Sequence, residues 1–178
     1  LSAMAAAAHG ADMLVTTGGA SVGDHDLIQS VLRKDGLEID FWKIAMRPGK
    51  PLIFGDIKGT PLLGLPGNPV STLVCGIIFL IPALRKMLGQ SELDVTRETA
   101  TLGVDLGKND QREDYLRAQL SRDDNGVQVA TPFSKQDSSM LSRLVQADCL
   151  VVRSPHAPAL KVGSTVDILP MPNGLVRI

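Results

Sequence analysis

The sequence predicts an α/β domain followed by a small all-β domain. Over the first ninety residues, short apolar runs alternate with loops and helix-like segments, which is typical of a sheet with helices on its faces. After Gly89 the chain changes to short β-rich segments separated by turn clusters, which favours a small barrel or sandwich. We therefore place the boundary near residues 90–94 and predict two domains, 1–91 and 92–178.

Local patterns define the elements of the α/β half. Gly10 and Gly36 suit positions just after helices, whereas Asn68 and Pro69 suit an N-cap and a first helical position. The most apolar run, residues 70–84, is shorter than the roughly 20 residues that span a bilayer, so we expect a buried core helix. The predicted elements are the end of a helix at 2–9, a strand at 13–17, a helix at 26–34, a strand at 39–44, a hairpin of 52–55 with 61–65, and a helix from 69 to about 88.

The β-rich half contains alternating segments and one short helical pattern. Asn125-Gly126 is a strong hairpin signal between two of these segments. The predicted strands are 99–106, 114–121, 127–131, 149–153 and 165–169, and the predicted helix is 139–147.

Composition and charge exclude several function classes. The formal net charge is −1, so no overall basic field attracts nucleic acid or an anionic membrane. Cys75 and Cys149 fit no metal-ligand spacing, and we interpret both as buried thiols in a reducing compartment. Residues 1–9 lack the basic region and cleavage pattern of a signal peptide, so we expect a cytoplasmic protein.

The loop after strand 13–17, with the sequence GGASVGDHD at residues 18–26, is the first candidate site. Its glycines let a ligand approach the backbone amides, and Asp24 and Asp26 can share one Mg²⁺ with phosphate oxygens. A tight turn with Asp26 as a helix N-cap explains the same residues. The string around Ser21 also matches G-x-S-x-G, but a hydrolase triad needs a later histidine. Only His25, which is too close, and His156 follow.

Two further loops are candidate anion sites. Residues 43–50 place Lys43, Arg47 and Lys50 in a loop shaped by proline and glycine, and both cation types suit phosphate or oxyanion oxygens. Residues 64–71, GLPGNPVS, present backbone amides and a serine at the start of a helix. A solvated basic turn and simple helix capping are the alternatives. Together, the three loops suit a diphosphate next to an oxyanion.

The strings TTGGASVGDHD (16–26), FWKIAMRPGKP (41–51) and GLPGNPVS (64–71), in this order and spacing, resemble the third domain of MoeA-type molybdopterin molybdotransferases and of the gephyrin E domain. The resemblance runs nearly continuously from residue 11 to residue 89. The later half is similar, through looser motifs, to the family's fourth domain. The resemblance implies a MogA-like three-layer α/β domain, truncated at its N-terminus, followed by a small β-barrel. MogA-type adenylyltransferases share the domain fold and the glycine turn but lack the other two strings.

The family reaction implied by this resemblance is insertion of molybdate into adenylylated molybdopterin with release of AMP. Asp24 and Asp26 would then hold Mg²⁺ or orient water, and Lys43 and Lys50 would neutralise phosphate or molybdate charge. The residues that the resemblance implies for binding the pterin and the oxyanion are Gly18, Gly19, Ser21, Gly23, Arg47, Pro66, Gly67, Asn68, Pro69 and Ser71, with Arg112 and the 138–139 serine pair, including Ser139, from the β half.

Family members carry a further first strand and two further domains that complete the site, partly across a dimer. We therefore expect this chain alone to have little insertion activity. We expect the full-length protein to be a homodimer and to act with a MogA-type adenylyltransferase. A scaffold of the gephyrin kind, which holds a receptor peptide, is the alternative, and the aromatic content of 3% argues against it. A serine hydrolase is the least favoured interpretation.

Overall fold

The computed structural model describes residues 2–18, 36–137 and 139–171, which form two sheets. Four strands of the first half make the first sheet: β1 (Leu14–Thr17), β2 (Leu37–Trp42), β4 (Ile53–Ile57) and β5 (Thr60–Leu65). Their order is β1-β5-β4-β2, with β1 parallel to β5 and with β4 antiparallel to both of its neighbours. Strands β1, β5 and β2 therefore run in one direction, and their carboxyl ends lie at the same edge.

Two helices accompany this sheet among the described residues. Helix α1 (Ser2–Ala8) is followed by Gly10, whose φ of 78° ends it as predicted. Helix α2 runs from Pro69 to Met87 as an α-helix to Cys75, a π-helical segment over Gly76–Leu80, and an α-helix from Ile81. The π segment ends two residues before Pro82, which cannot donate the usual backbone hydrogen bond. The predicted helix 26–34 lies outside the described residues.

The prediction of a buried core helix holds for the first half of α2. Val70, Val74 and Cys75 have no exposed surface, whereas Leu88, just after the helix, is 75% exposed. The helix is long and apolar enough to cross a membrane by length and composition, although 28% of its most apolar window is buried in the protein. Its first half therefore packs into the core, and its last turn is exposed.

The second sheet closes into a barrel. Its strands are β6 (Glu98–Leu102), β7 (Glu113–Arg122), β8 (Gln128–Pro132), β9 (Cys149–Arg153) and β10 (Thr165–Pro170), and the order is β7-β8-β6-β10-β9. Pairing between β7 and β9 closes the ring. Helix α3 (Leu141–Val145) precedes β9, and Gly126, with a φ of 80°, lies in the predicted turn between β7 and β8. The predicted small β-barrel is confirmed.

One of three hydrophobic clusters among the described residues joins the two halves. Strand β3 (Met46–Arg47), from the first half, adds to the barrel sheet by pairing in parallel with β7. The largest core cluster joins Leu63, Val74 and Cys75 of the first half to Tyr115 and Leu150 of the second. The domain limits of 1–91 and 92–178 remain a prediction, but a contiguous core crosses the proposed boundary.

Two predicted strands differ from the observed ones for visible reasons. The strand predicted at 39–44 ends at Trp42, because Lys43 adopts a φ of 74° that no extended strand allows. The strand predicted at 99–106 ends at Leu102, and Leu106 makes only an isolated bridge to Leu160. Both cysteines are free and buried, as predicted.

Candidate functional site

The described parts of the three predicted loops lie at one edge of the first sheet. Gly18 follows β1, the loop at Pro66 follows β5, and Lys43 follows β2, while Lys50 lies just before β4. Because β1, β5 and β2 run in the same direction, these residues meet along the edge where the three strands end. With neighbouring strands about 4.8 Å apart, the edge from β1 to β2 extends over roughly 14 Å. This length suits a diphosphate and an oxyanion side by side.

The first and third loops begin in direct contact. The amide of Gly18 donates to the carbonyl of Leu65 over 3.1 Å, and a Cβ placed on Gly67 would come within 3.2 Å of the Gly18 Cα. Gly18 has a φ of 83°, which side chains rarely tolerate. Glycine at both positions thus lets two loops start side by side. The remaining predicted residues of the first loop, Gly19, Ser21, Gly23, Asp24 and Asp26, lie outside the described residues.

The third loop is fixed by its own side chains. The Oδ1 of Asn68 accepts the Val70 amide at 3.2 Å, which makes Asn68 the N-cap of α2 as predicted. The hydroxyl of Thr72 lies within hydrogen-bond distance of the carbonyls of Pro66 and Asn68, the latter at 2.9 Å. Gly67 and Pro69 are exposed and Asn68 is half-buried. Backbone amides at the start of α2 are thereby held in a defined shape.

Ser71 and Pro66, which were predicted to line the oxyanion pocket, are buried. Ser71 is only 6% exposed in the first turn of α2. Both residues therefore expose little surface, and their contact with an oxyanion remains a prediction.

The basic loop is closed by backbone hydrogen bonds. Ile44 donates to the carbonyl of Lys50 over 2.9 Å, and Lys43 donates to the carbonyl of Leu52 over 3.1 Å. The ammonium of Lys43 lies 4.1 Å from the centre of the Trp42 ring, a cation–π contact. The loop therefore presents Lys43 and Lys50, both exposed, from a fixed backbone.

Arg47 pairs with carboxylates of the barrel, and it also lines a small open pocket of about 170 Å³ together with Asn109 and Arg153. Its Nε donates to Asp114 Oδ1 over 2.8 Å, its Nη2 contacts the other oxygen of Asp114, and its Nη1 lies 3.2 Å from Asp110 Oδ2. The hydrogen bond to Asp114 raises the pKa of Arg47 against the opposing effect of burial. The charge of Arg47 is thus matched by barrel carboxylates while its side chain stays 45% exposed, and its contact with phosphate or molybdate remains a prediction.

Lys50 and Arg112 line one open pocket of about 600 Å³, together with Ile44, Ala45 and Gln111. The two cations come from different halves of the chain, and the pairing of β3 with β7 brings the segments that carry them together. Ser139 is different, because its hydroxyl donates to Asp137 Oδ1 over 2.8 Å at an exposed turn. Within the described part of the chain, no contact joins Ser139 to Lys50 or Arg112.

The sequence interpretation missed several residues that contact Arg47 or Arg112. Asp110 and Asp114 hold Arg47, and the Asn109 amide group donates to the carbonyls of Arg112, Arg153 and Ser154. In the sequence, the only local signal for these residues was a polar turn before a strand with alternating polar and apolar residues. A separate cavity, of about 640 Å³, lies between α2, residues 91–97 and Tyr115, and it contains none of the predicted site residues.

Two further interpretations concern a metal site and a serine hydrolase. No group of three or more His, Cys, Asp or Glu in residues 2–18, 36–137 and 139–171 is arranged to hold a metal ion, but Asp24 and Asp26 are not among them. The backbone amide of His156, the histidine left for a hydrolase triad, donates to the carbonyl of Asp110 in an exposed barrel turn. Ser21, the serine of the G-x-S-x-G string, lies outside the described residues, so the hydrolase interpretation stays untested.

Two family models match consecutive parts of the chain. Residues 1–86 match the model described as a probable molybdopterin binding domain. Residues 99–171 match the model of the MoeA C-terminal region, domain IV. The two matches follow the division between the α/β sheet and the barrel.

Curated proteins and solved structures agree with these matches. The chain is 34% identical over 169 residues to the molybdopterin molybdenumtransferase of Haemophilus influenzae, covering 94% of this chain and 42% of that protein. It is 33% identical over 158 residues to the molybdenum cofactor synthesis protein cinnamon of Drosophila melanogaster, covering 85% of this chain and 26% of that protein. The crystal structure of the molybdopterin biosynthesis MoeA protein from Pyrococcus horikosii superposes with a TM-score of 0.71 at 31% identity, covering 91% of this chain and 38% of that one.

The chain thus spans about two fifths of the length of its bacterial relative and carries the two domains that the family models describe. The fold, the three loop strings and these matches agree, and over nearly its whole length the chain is similar to MoeA proteins of molybdenum cofactor biosynthesis.

Proposed function

We propose that this chain binds molybdate beside a phosphate-bearing pterin, and that within a complete MoeA-type protein it serves the insertion of molybdenum into adenylylated molybdopterin with release of AMP. The observation that carries the proposal is the convergence of Lys50 and Arg112 on one open pocket. The curated relatives named molybdopterin molybdenumtransferase support it.

Charge explains why this pocket suits molybdate. Molybdate is a tetrahedral dianion, and Lys50 and Arg112 supply two positive charges from two sides of the pocket. Lysine acts as a compact point charge, and arginine offers a planar set of donors that can hold two oxygens. Preorganised cations of this kind also stabilise the negative charge that develops during group transfer.

The edge between β1 and β5 suits the phosphate end of the pterin substrate. The Gly18 and Gly67 backbones lie in contact there, and the amides at the start of α2 follow directly. Exposed amides at a helix N-terminus bind phosphate oxygens well, because they carry partial positive charge and lack a partner within the helix. Lys43, at the end of β2, adds a cation on the same edge.

The metal and the partners are part of the same proposal. We propose that Asp24 and Asp26 hold Mg²⁺, which would supply positive charge to the phosphate oxygens, on the basis of their spacing in the sequence alone. We further propose a cytoplasmic homodimer that receives its substrate from a MogA-type adenylyltransferase. Because the chain covers 42% of its Haemophilus relative, we expect it to bind ligands without wild-type-like turnover.

Titration calorimetry of the 178-residue chain with sodium molybdate tests the proposal. We expect Lys50→Ala and Arg112→Ala each to weaken binding by about tenfold or more, as expected for loss of a charge-assisted contact. Lys161→Ala is the matched control, because Lys161 pairs with Asp105 on the barrel surface and does not line the pocket. Absence of molybdate binding by the wild type, or binding that neither pocket substitution changes, would contradict the proposal.

A further inference from the structure

Barrel residues hold the Arg47 side chain at both ends of its guanidinium group. Asp114 accepts from Nε and Nη2, and Asp110 accepts from Nη1 at 3.2 Å. Strand pairing fixes the same junction, since Arg47 is in register with Asp114 and the Glu113 amide donates to the carbonyl of Ala45 over 2.9 Å. The basic loop is therefore attached to the barrel through both its backbone and a side chain.

Asp114 is buried and depends on its cationic neighbours. Its exposed fraction is 5%, and a carboxylate at this depth is costly unless it is paired. Arg47 faces it from β3, and Arg153, 4% exposed, is its register partner on β9. Two cations thus flank one buried carboxylate, and Asp114 fixes one side of the Arg47 guanidinium group while the Arg47 side chain remains 45% exposed.

Asp110 continues this contact chain into the pocket. Its Oδ2 accepts from Arg47 Nη1 at 3.2 Å and from Arg112 Nη2 at 3.1 Å, and its Oδ1 accepts the backbone amide of Arg112 at 2.9 Å. The path Asp114–Arg47–Asp110–Arg112 thus runs from the junction of the two halves to the pocket that Arg112 shares with Lys50.

We propose that Asp114 and Asp110 are positioning residues for oxyanion binding: through Arg47 they hold the basic loop against the barrel, so that Lys50 and Arg112 face one pocket. The inference rests on the proposed function, because it concerns the same pocket. It gives two carboxylates of the barrel a role in binding an anion.

The direction in which molybdate affinity changes, when a carboxylate is neutralised, distinguishes a positioning role from direct electrostatic repulsion. A carboxylate near an anion site repels the anion, so its neutralisation alone should tighten molybdate binding. A positioning carboxylate has the opposite effect, because its loss lets Lys50 and Arg112 move apart. We expect Asp114→Asn and Asp110→Asn each to weaken molybdate binding by about tenfold at equal folded fraction, the scale of coupling between contacting residues.

The experiment is molybdate titration calorimetry on the 178-residue chain, at a temperature where circular dichroism shows each variant to be folded. Asp114→Asn is compared with Arg47→Met and with the double variant. If Asp114 acts through Arg47, adding Asp114→Asn to the Arg47→Met variant should leave its molybdate dissociation constant unchanged. A role in stability alone would lower the thermal midpoint without changing the dissociation constant.

Asp105→Asn is the matched control, because Asp105 pairs with Lys161 at 2.7 Å and does not belong to this contact chain. The Asp105→Asn variant should bind molybdate with the dissociation constant of the wild type. If Asp114→Asn does not fold, Asp110→Asn carries the test, since Asp110 is an exposed carboxylate whose loss leaves the core intact. Unchanged or tighter binding in the folded aspartate variants, while Lys50→Ala still weakens it, would overturn the positioning role alone. A wild type that does not bind molybdate would instead overturn the proposed function.

Discussion

The backbone of Gly49 lies against the thiol of Cys75. A Cβ placed on Gly49 would be 2.6 Å from the Cys75 Sγ and 3.0 Å from the Met46 Cε. Gly49 belongs to the basic loop and Cys75 to the first, buried part of α2, the helix that the third loop begins. This contact therefore sets the distance between two of the predicted anion-binding loops.

Gly49→Ala should destabilise the protein more than any substitution at a solvent-facing glycine. Gly49 has a φ of 118°, and the added methyl group would overlap a buried sulfur, so we expect a loss of about 3 kcal/mol in the free energy of unfolding. Gly89→Ala is the control, because Gly89 has a φ of 71° but no atom within 4 Å of its added Cβ. Gly89→Ala should lower the free energy of unfolding by about 1 kcal/mol. Equal losses in urea unfolding would contradict the role of the Cys75 contact.

Local sequence signals were sufficient for most elements of the fold. The hairpin of β4 and β5 follows from Lys58-Gly59, where both residues have positive φ, and the start of α2 follows from Asn68 and Pro69. The barrel follows from alternation and from the Asn125-Gly126 turn. Each of these signals depends on a few consecutive residues, and local patterns of this kind can be identified in a single sequence.

Long-range pairing could not be predicted in the same way. Strand β3 has two residues and no periodicity, and Arg47 meets Asp114 across 67 positions of sequence. The pattern correctly marked a cation in a shaped loop but did not indicate where its side chain points. Ser71 is a similar case, because only the packing of α2 on the sheet determines that a first-turn serine is buried.

Stability should fall at alkaline pH because two thiols are buried. Burial raises the pKa of Cys75 from 9.0 to about 12, and burial with the nearby Asp148 and Glu98 charges raises the pKa of Cys149 to about 12. Because these folded-state pKa values exceed the unfolded ones, the stabilisation is complete below pH 9 and is lost as pH rises toward 12.

Urea midpoints measured between pH 7 and about pH 10.5 test this prediction, since the unfolded thiols ionise across that window. The Cys75→Ala/Cys149→Ala variant should lose less stability over the same range. Some decline should persist, because the pKa of Tyr115 is also raised to about 12, first by burial. Parallel declines in the two proteins would show that the thiols are not responsible.

Arg117 should not tolerate replacement by lysine. It is 1% exposed, and its guanidinium donates to Gln136 Oε1 at 3.3 Å and to the carbonyls of Met140 and Asp137 at 3.2 and 2.9 Å. One ammonium cannot reach all three acceptors, so we expect Arg117→Lys to cost about 3 kcal/mol of unfolding free energy.

Arg122→Lys provides the comparison for Arg117→Lys. Arg122 is exposed and its side chain donates to the carbonyl of Gly126, so its replacement should change the unfolding free energy by less than about 0.5 kcal/mol. Chemical denaturation of both variants measures the difference. Similar values would mean that the buried hydrogen bonds of Arg117 contribute little.

Substitutions at Asn68 separate helix capping from ligand contact. Its Oδ1 is occupied by the Val70 amide, so we expect Asn68 to shape the third loop rather than to bind a ligand through its side chain. Asn68→Ala should lower the free energy of unfolding by about 1 kcal/mol. Asn68→Ser should lower the free energy of unfolding by much less, because serine caps helices well. Asn68→Ser should also retain the pyrophosphate affinity of the wild type in calorimetry. A stable Asn68→Ser variant with clearly weaker binding would instead assign the amide side chain to the ligand.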